Sequence, residues 1–342
     1  MDHDALIEVV QALVQVPSVF DPATGRSEDG AARLVAHQLR HFGWAPELDP
    51  VAPGRPNVYA AVEGGRPGPT LLFEGHTDVV TEGDRAAWTV DPFGAEIRDG
   101  RLYGRGSADM KSGLVAALFA ARAVADEGPF AGRIAIAALV DEEGMMAGAK
   151  HFVSTGRADG IDAAICCEPE DGEVCNVSKG ALRLRIDFHG VMAHGAMPLQ
   201  GRNPNPVLAR FLGALAEQEA RMQAEHPAHP HLGEVSLTPT VLRSGDPAQM
   251  NVIPADATTW VDVRTIPGVD HGDLVAAVAR QAEEAGATAG VGTKVTVVDD
   301  RPAVSTSAAS PVVRALCEAH AAVTGQPARL GGVPGATDGT IL

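Results

Sequence analysis

Aromatic side chains make up only 4% of the 342 residues, so any core must be built from Val, Leu, Ala and Ile. Cysteine is scarce as well. Cys166, Cys167, Cys175 and Cys317 form no C-x-x-C pair, which leaves neither a zinc-finger spacing nor a disulfide framework. Cys166 and Cys167 read as small core residues in an apolar run, and a reducing cytoplasm is the expected compartment. Basic residues are too few for a polyanion partner. With 27 Lys+Arg against 44 Asp+Glu the net charge is −17, which excludes nucleic acid and anionic membranes as partners. No apolar run approaches the roughly 18 residues that suggest a membrane span. The opening Met1-Asp2-His3-Asp4 lacks the basic lead and apolar stretch of a secretory signal. The 38 Gly and 24 Pro follow no three-residue period, so collagen-like and low-complexity readings fail.

What is present is ordinary globular material. The hydrophobic share is 45%, and the length suits about two domains. Residues 4–15 and 28–42 carry helical spacing, with Pro17 in the gap between them. Strand-length apolar runs follow at 57–62, 70–74, 133–140 and 162–167, with a helical run at 111–125 between the second and third. Continuous apolar strands separated by helices predict an α/β domain whose mixed sheet is mostly parallel and covered on both faces. Near Ser178 the pattern changes. A period-two strand (181–189), a helix (206–223), two strands (234–242 and 258–265), a helix (273–285) and a last strand (293–298) read as β-α-β-β-α-β. That is the split-βαβ, ferredoxin-like order of a small α+β domain. It occupies 179–300 and looks inserted, because 310–324 return to helix; the first domain is then 1–178 with 301–342. No repeat at a fixed period of 20–50 residues is apparent.

Four segments of the first domain end in acid or imidazole. The run 70–74 leads into Gly75-His76-Thr77-Asp78, and 133–140 into Asp141-Glu142-Glu143. The run 162–167 leads into Glu168-Pro169, and Ser107-Ala108-Asp109 precedes the long helix. Singly each has a plain reading: a turn His, an acidic surface turn, a loop carboxylate, an N-cap. Together they lie where the carboxyl ends of parallel strands face one crevice. Carboxylates gathered there repel one another unless protonated or neutralised, so a cation site is the economical expectation. In His76-x-Asp78 the two side chains share a face of extended chain, so Asp78 can accept the second imidazole N–H and fix the tautomer. In Glu142-Glu143 successive side chains diverge, so one can bind metal while the other faces the attacking water as a base.

The motifs GHTDVV (75–80), GRGSADMKSG (104–113), DEEGMMAGAK (141–150), CEPED (167–171), GVMAHGAMPLQGRNP (190–204), NVIPADATTWVDVR (251–264) and GATDG (335–339) stand in one order along nearly the whole chain. As a set they resemble the M20 metallopeptidase family, which includes acetylornithine deacetylase, succinyl-diaminopimelate desuccinylase, aminoacylase and glutamate carboxypeptidase. The resemblance implies two divalent metal ions, zinc first and cobalt or manganese possible. It implies that His76 and Glu168 hold one, that Asp109 bridges, and that Glu143 holds the second. It implies that Asp78 orients His76 and that Glu142 takes a proton from the water and passes it to the leaving amine. The inserted domain would be a lid that also makes a homodimer, with His194 reaching the partner's site to stabilise the oxyanion. Arg264 and Asn251 would bind a substrate carboxylate, and Gly335, Ala336 and Thr337 would line the substrate loop. A rival for Arg264 is a surface pair with Asp262 or Asp256, and for His194 a loop position beside a Gly-flanked turn.

The expected reaction is release of an acyl group from an N-acylated amino acid. The alternatives are a dipeptidase or carboxypeptidase of the same family, or a non-catalytic metal-binding protein. The resemblance also implies a last His ligand to the second metal, beyond GATDG. The sequence stops at Leu342 and no His follows His320, so the expectation is a truncated chain or a second site short of one ligand, and a main sheet without its closing strand.

Overall fold

The computed structural model describes residues 2–342, which divide into two compact units, 2–172 with 337–342 and 173–336. The first unit runs α1 (His3–Val14), α2 (Asp29–His41), β1 (Glu47–Ala52), β2 (Arg55–Glu63), β3 (Gly65–His76), β4 (Glu96–Arg98), β5 (Arg101–Tyr103), α3 (Lys111–Asp126), β6 (Phe130–Leu139), α4 (Ala147–Ser154) and β7 (Ala163–Cys166). Five of these strands form one sheet in the order β1-β2-β6-β3-β7. Its centre is β6, and Ala135–Val140 are buried without a break, which is why that stretch reads as an unpatterned apolar run.

The parallel character expected from the sequence holds for half the sheet. β3 pairs parallel with both β6 and β7, whereas β1–β2 and β2–β6 are antiparallel. For β1–β2 the reason is local. Only Pro53 and Gly54 separate β1 from β2, and Gly54 takes φ +71°, so the chain reverses in a hairpin that cannot deliver a parallel strand. The apolar stripe of α2 (Ala31, Ala32, Val35, Ala36, Leu39) joins Leu13 and Val14 of α1, Leu114, Val115 and Leu118 of α3, and Val58, Ile134 and Ile136 of the sheet in one core. Small aliphatic side chains fill it, as the scarcity of aromatics requires.

The second unit runs β8 (Val174–Ser178), β9 (Gly180–His189), β10 (Ala193–His194), α5 (Asn205–Glu225), β11 (Ser236–Ser244), β12 (Val252–Ile253), β13 (Asp256–Thr265), α6 (His271–Ala287), β14 (Gly292–Arg301), β15 (Val304–Ser305), α7 (Pro311–Thr324) and β16 (Leu330–Val333). Four strands form an antiparallel sheet in the order β11-β13-β9-β14. Its apolar positions, among them Leu182, Leu184, Ile186 and Phe188 of β9 and Val261 and Val263 of β13, share a core with Val207, Phe211 and Leu215 of α5 and Leu274 and Val278 of α6. Along β13 burial alternates, with Trp260, Asp262 and Arg264 on the less buried side. A separate three-stranded sheet joins β15, β8 and β16, with β16 parallel to β8. Among the described residues no helix is long and apolar enough to cross a membrane.

Candidate active site

The three mutually parallel strands, β6, β3 and β7, are neighbours, and their carboxyl ends are in register: His76 lies opposite Leu139, and Glu74 opposite Cys166. The segments that continue beyond them are 77–79, 140–148 and 167–168. This is how residues almost a hundred positions apart in sequence reach one place.

His76 is the pivot. It is 1% exposed, and its Nδ1 donates to the carbonyl oxygen of Asp78 at 2.9 Å. A carbonyl only accepts, so Nδ1 carries the proton and Nε2 is the ring atom presented to the site. Nε2 lies 3.3 Å from Asp109 Oδ1 and 3.6 Å from Glu168 Oε1. Among the described residues, His76, Asp109 and Glu168 are the single set of three or more His, Cys, Asp or Glu side chains whose ligand atoms all come within 4.8 Å of one another. The spacing fits a cation. Bonds of roughly 2.0–2.1 Å in a tetrahedron set neighbouring donors about 3.3 Å apart.

The electrostatics support the same fit. Burial pushes the Glu168 carboxyl up to about 8, helped by the charges of Glu142 and Asp109 and opposed by His76. Burial disfavours a charged His76, yet the hydrogen bonds to Asp109 and Asp78 and the charges of Asp78 and Glu168 outweigh it and hold the imidazole well above its usual range. The hydrogen bond from His76 holds Asp109 below the usual carboxylate range. In the bare site the imidazolium thus stands where a cation would relieve the crowded carboxylates. The chemistry of one nitrogen and two carboxylates suits a divalent transition metal.

Asp109 is not the helix cap its position suggested: Met110 stands at the N-cap of α3, without a side-chain cap, and the Asp109 side chain is 55% exposed. The Asp78 carboxylate lies 3.5 Å from His76 Nδ1, so the closer contact to the ring is the backbone carbonyl. That carboxylate instead accepts the backbone N–H of Glu142 at 3.3 Å and of Glu143 at 3.1 Å. Burial raises Asp78, but the charged His76 ring beside it and the Glu143 N–H outweigh that and hold its carboxyl below the usual carboxylate range. Glu142 is buried and Glu143 exposed. Glu143 stands outside the three-residue cluster; although the residue as a whole is exposed, neighbouring groups partly enclose its carboxyl, and that loss of solvation, then the charge of Asp109, raises it.

The remaining predicted residues lie elsewhere in the chain. In the second unit the two-residue strands β10 and β12 pair His194 with Val252, and Asn251 Nδ2 lies 3.3 Å from His194 Nε2. Arg264 grips Asp262, with Nε at 2.9 Å from Oδ1 and a second N–H donated to Oδ2 at 3.0 Å. Gly335 and Ala336 belong to the second unit and Thr337 to the first, where it leads into a short 3-10 turn (Asp338–Thr340).

Several buried polar residues escape a reading by motif. Glu74 and Asp338 are 2% and 1% exposed; burial pushes Glu74 up to about 6 against hydrogen bonds with Cys166 and Asp338 and the charge of His76, and burial with the charges of Glu74 and Glu142 holds Asp338 well above its usual range. The signal was an acid inside the apolar run 70–74. Lys111, 0% exposed, donates to the carbonyls of Leu13 and Val16 at 2.9 Å each, tying the start of α3 to the end of α1. Arg55 and Asn57 are buried on β2 and both bond to segment 140–148.

The profile of peptidase family M20/M25/M40 matches residues 72–342. A succinyl-diaminopimelate desuccinylase of Rhodospirillum centenum is 38% identical over 271 residues, which are 75% of this chain and 67% of that protein. The chain spans about two thirds of the length of the curated relatives it matches. Among solved structures, aminopeptidase PepT from Bacillus cereus superimposes with a TM-score of 0.76 at 20% identity, covering 100% of this chain and 87% of that one. The YXEP protein of Bacillus subtilis, described as a dinuclear metal binding peptidase from the M20 family, gives a TM-score of 0.71 at 18% identity, covering 99% and 85%. At such identities these two establish a shared fold.

Proposed function

The chain belongs to peptidase family M20/M25/M40, and from that footing we propose that it is a metal-dependent amide hydrolase that removes the acyl group from N-acylated amino acids. One observation carries the reading: His76 and Glu168, at the carboxyl ends of the paired parallel strands β3 and β7, gather with Asp109 around a cation-sized space, and β3 also pairs with β6, the strand that leads to Glu142. N-succinyl substrates come first, because the relatives at 35–38% identity are named desuccinylases.

We read His76 and Glu168 as ligands of a first zinc, Asp109 as the bridge and Glu143 as the ligand of a second, with cobalt or manganese able to substitute. Divalent ions there would polarise the scissile carbonyl and acidify the attacking water. The chain's own groups do the rest. Glu142, held by its backbone N–H on Asp78, accepts the water proton and returns it to the departing nitrogen. His76 is fixed in one tautomer by the Asp78 carbonyl. His194 Nδ1 accepts the Ala196 N–H, which leaves the proton on Nε2, the nitrogen beside Asn251, as the donor offered to the developing oxyanion. Arg264 can offer its fork to a substrate carboxylate after exchanging it for Asp262.

Residues 179–300 act in this reading as a ferredoxin-like lid, and 1–178 with 301–342 as the catalytic domain. The β11-β13-β9-β14 order supports the lid assignment. A homodimer through the lid, with His194 serving the partner's site, draws support from β11. It lies at the sheet edge, with Val241 and Leu242 exposed at 39% and 56%.

The test is hydrolysis of a panel of N-succinyl, N-acetyl and longer N-acyl amino acids by zinc- or cobalt-loaded protein. Turnover of at least one, lost on chelation, is the expected result. Cleavage of unblocked dipeptides with the N-acyl panel inert would replace the deacylase reading by a dipeptidase. Metal binding without hydrolysis of either would leave a non-catalytic protein.

A further inference from the structure

Residues 140–148 carry Glu142 and Glu143 and contain two non-glycine residues in the left-handed region, Asp141 at φ +70° and Met146 at φ +52°. A non-glycine residue is strained in that region and persists there only where its surroundings over-determine it. Here they do. Asp141 Oδ2 accepts the N–H of Met145 at 3.0 Å and of Ala147 at 3.2 Å, closing the loop on itself. Its other oxygen takes a 2.6 Å bond from Arg55 on β2. Arg55 is forked on Glu28, whose side chain is fully buried, through bonds of 2.5 and 2.9 Å, and its guanidinium lies 3.6 Å over the ring of Phe20. Two residues along the same face of β2, Asn57 accepts the N–H of Val140 at 3.1 Å and donates to the carbonyl of Gly148 at 2.9 Å. The loop is thus held at both ends by one strand, and in its middle by Asp78.

We propose that Arg55 and Asn57 are positioning residues, a two-point clamp by which β2 fixes the loop bearing Glu142 and Glu143; its catalytic consequence rests on Glu142 acting as the base. Plain stability is a poor reason for this arrangement. A buried ion network is commonly no more stabilising than packed apolar side chains of like volume. Here, moreover, one arginine faces two carboxylates. What the clamp adds is geometry. Outside Glu28, the side-chain hydrogen bonds of Arg55 and Asn57 go to residues 140–148, and a base displaced by about 1 Å can lose roughly 100-fold in rate.

The test uses the full-length, zinc-loaded protein with two readouts. Asn57→Ala and Arg55→Met should each lower kcat on the N-acyl substrate by about 100-fold with KM within about threefold, and Arg55→Lys should recover at least tenfold of that loss. Because Arg55→Met leaves two carboxylates without their counter-charge, Glu28→Gln/Arg55→Met is made beside it. Independently of activity, hydrogen exchange at the amides of 142, 143, 145 and 147 should quicken at least about tenfold in the variants, while 133–139 on β6 stay protected. Unchanged loop exchange overturns the clamp. Faster loop exchange with kcat intact overturns the positioning role. If the unaltered protein hydrolyses no N-acyl amino acid, the deacylase reading fails, and the exchange result alone decides the clamp.

Discussion

Two regions carry the residues assigned to chemistry, and they are built in opposite ways. At the strand ends of the first unit, His76 and Asp78 are 1% and 3% exposed, and loop 140–148 has its backbone N–H groups at 140, 142, 143, 145 and 147 bonded to side chains. At the β10–β12 tip of the second unit, His194 at the end of the two-residue β10 and Asn251 just before the two-residue β12 are exposed. Around them Met192, Met197, Leu199 and Met250 are 60%, 48%, 100% and 93% exposed. The first region finds its partners within its own unit and is preorganised before any ligand arrives. The second displays polar groups ringed by apolar side chains to solvent. Preorganisation belongs where a proton must move over a fraction of an ångström, and an exposed tip suits groups that engage only once something covers them.

The contrast is tested hardest at Glu142. Glu142→Gln should cut hydrolysis by about 1,000-fold or more while zinc content, read by elemental analysis, stays unchanged. A loss below tenfold would remove the base from the buried region. His194→Ala should cost about 100-fold, with zinc content again intact, since an oxyanion donor acts without touching the ligands. Mixing His194→Ala and Glu142→Gln subunits should return part of the activity, and no return would place His194 in its own subunit's chemistry.

The smallest expected effect is on metal uptake. Glu168, raised to about 8 by burial, holds a proton at pH 7 in the bare site, as does His76, raised by its carboxylate neighbours. A cation must displace those protons, so zinc affinity should rise at least about tenfold per pH unit from 6 to 7, and less steeply above 8 once Glu168 is ionised. Titrations at several pH values with a competing chelator measure it, and a flat profile would dissolve the three-ligand cluster.

Much of the fold was legible because burial on both faces leaves a plain mark. Ala135–Val140 and Leu71–Phe73 are apolar without alternation, and each is followed at once by the acid or imidazole it delivers. The period-two pattern of β9 and β13 was equally plain, since only one side of that sheet is covered by α5 and α6. The strand Glu47–Ala52 escaped notice, having Pro50 inside it and few apolar residues, and so did β15 and β16, which are two and four residues long. The antiparallel β1–β2 edge followed from the Pro53-Gly54 hairpin rather than from either strand's own composition.

The site shows the same division. Residue types and short spacings singled out His76, Asp109, Glu142, Glu143 and Glu168, because ligand and base chemistry is a property of side chains. That chemistry, with the family it points to, is what the sequence determines by itself. Tertiary structure decided which groups answer one another across the chain. It set the Asp78 carboxylate on the loop amides, with the Asp78 carbonyl at the imidazole, turned Arg264 onto Asp262, and joined Arg55 to Asp141 over a separation of 86 residues. The reason is physical. A hydrogen bond needs atoms about 3 Å apart in a fixed direction, and no periodicity along a chain specifies that distance between strands that meet only when the sheet forms.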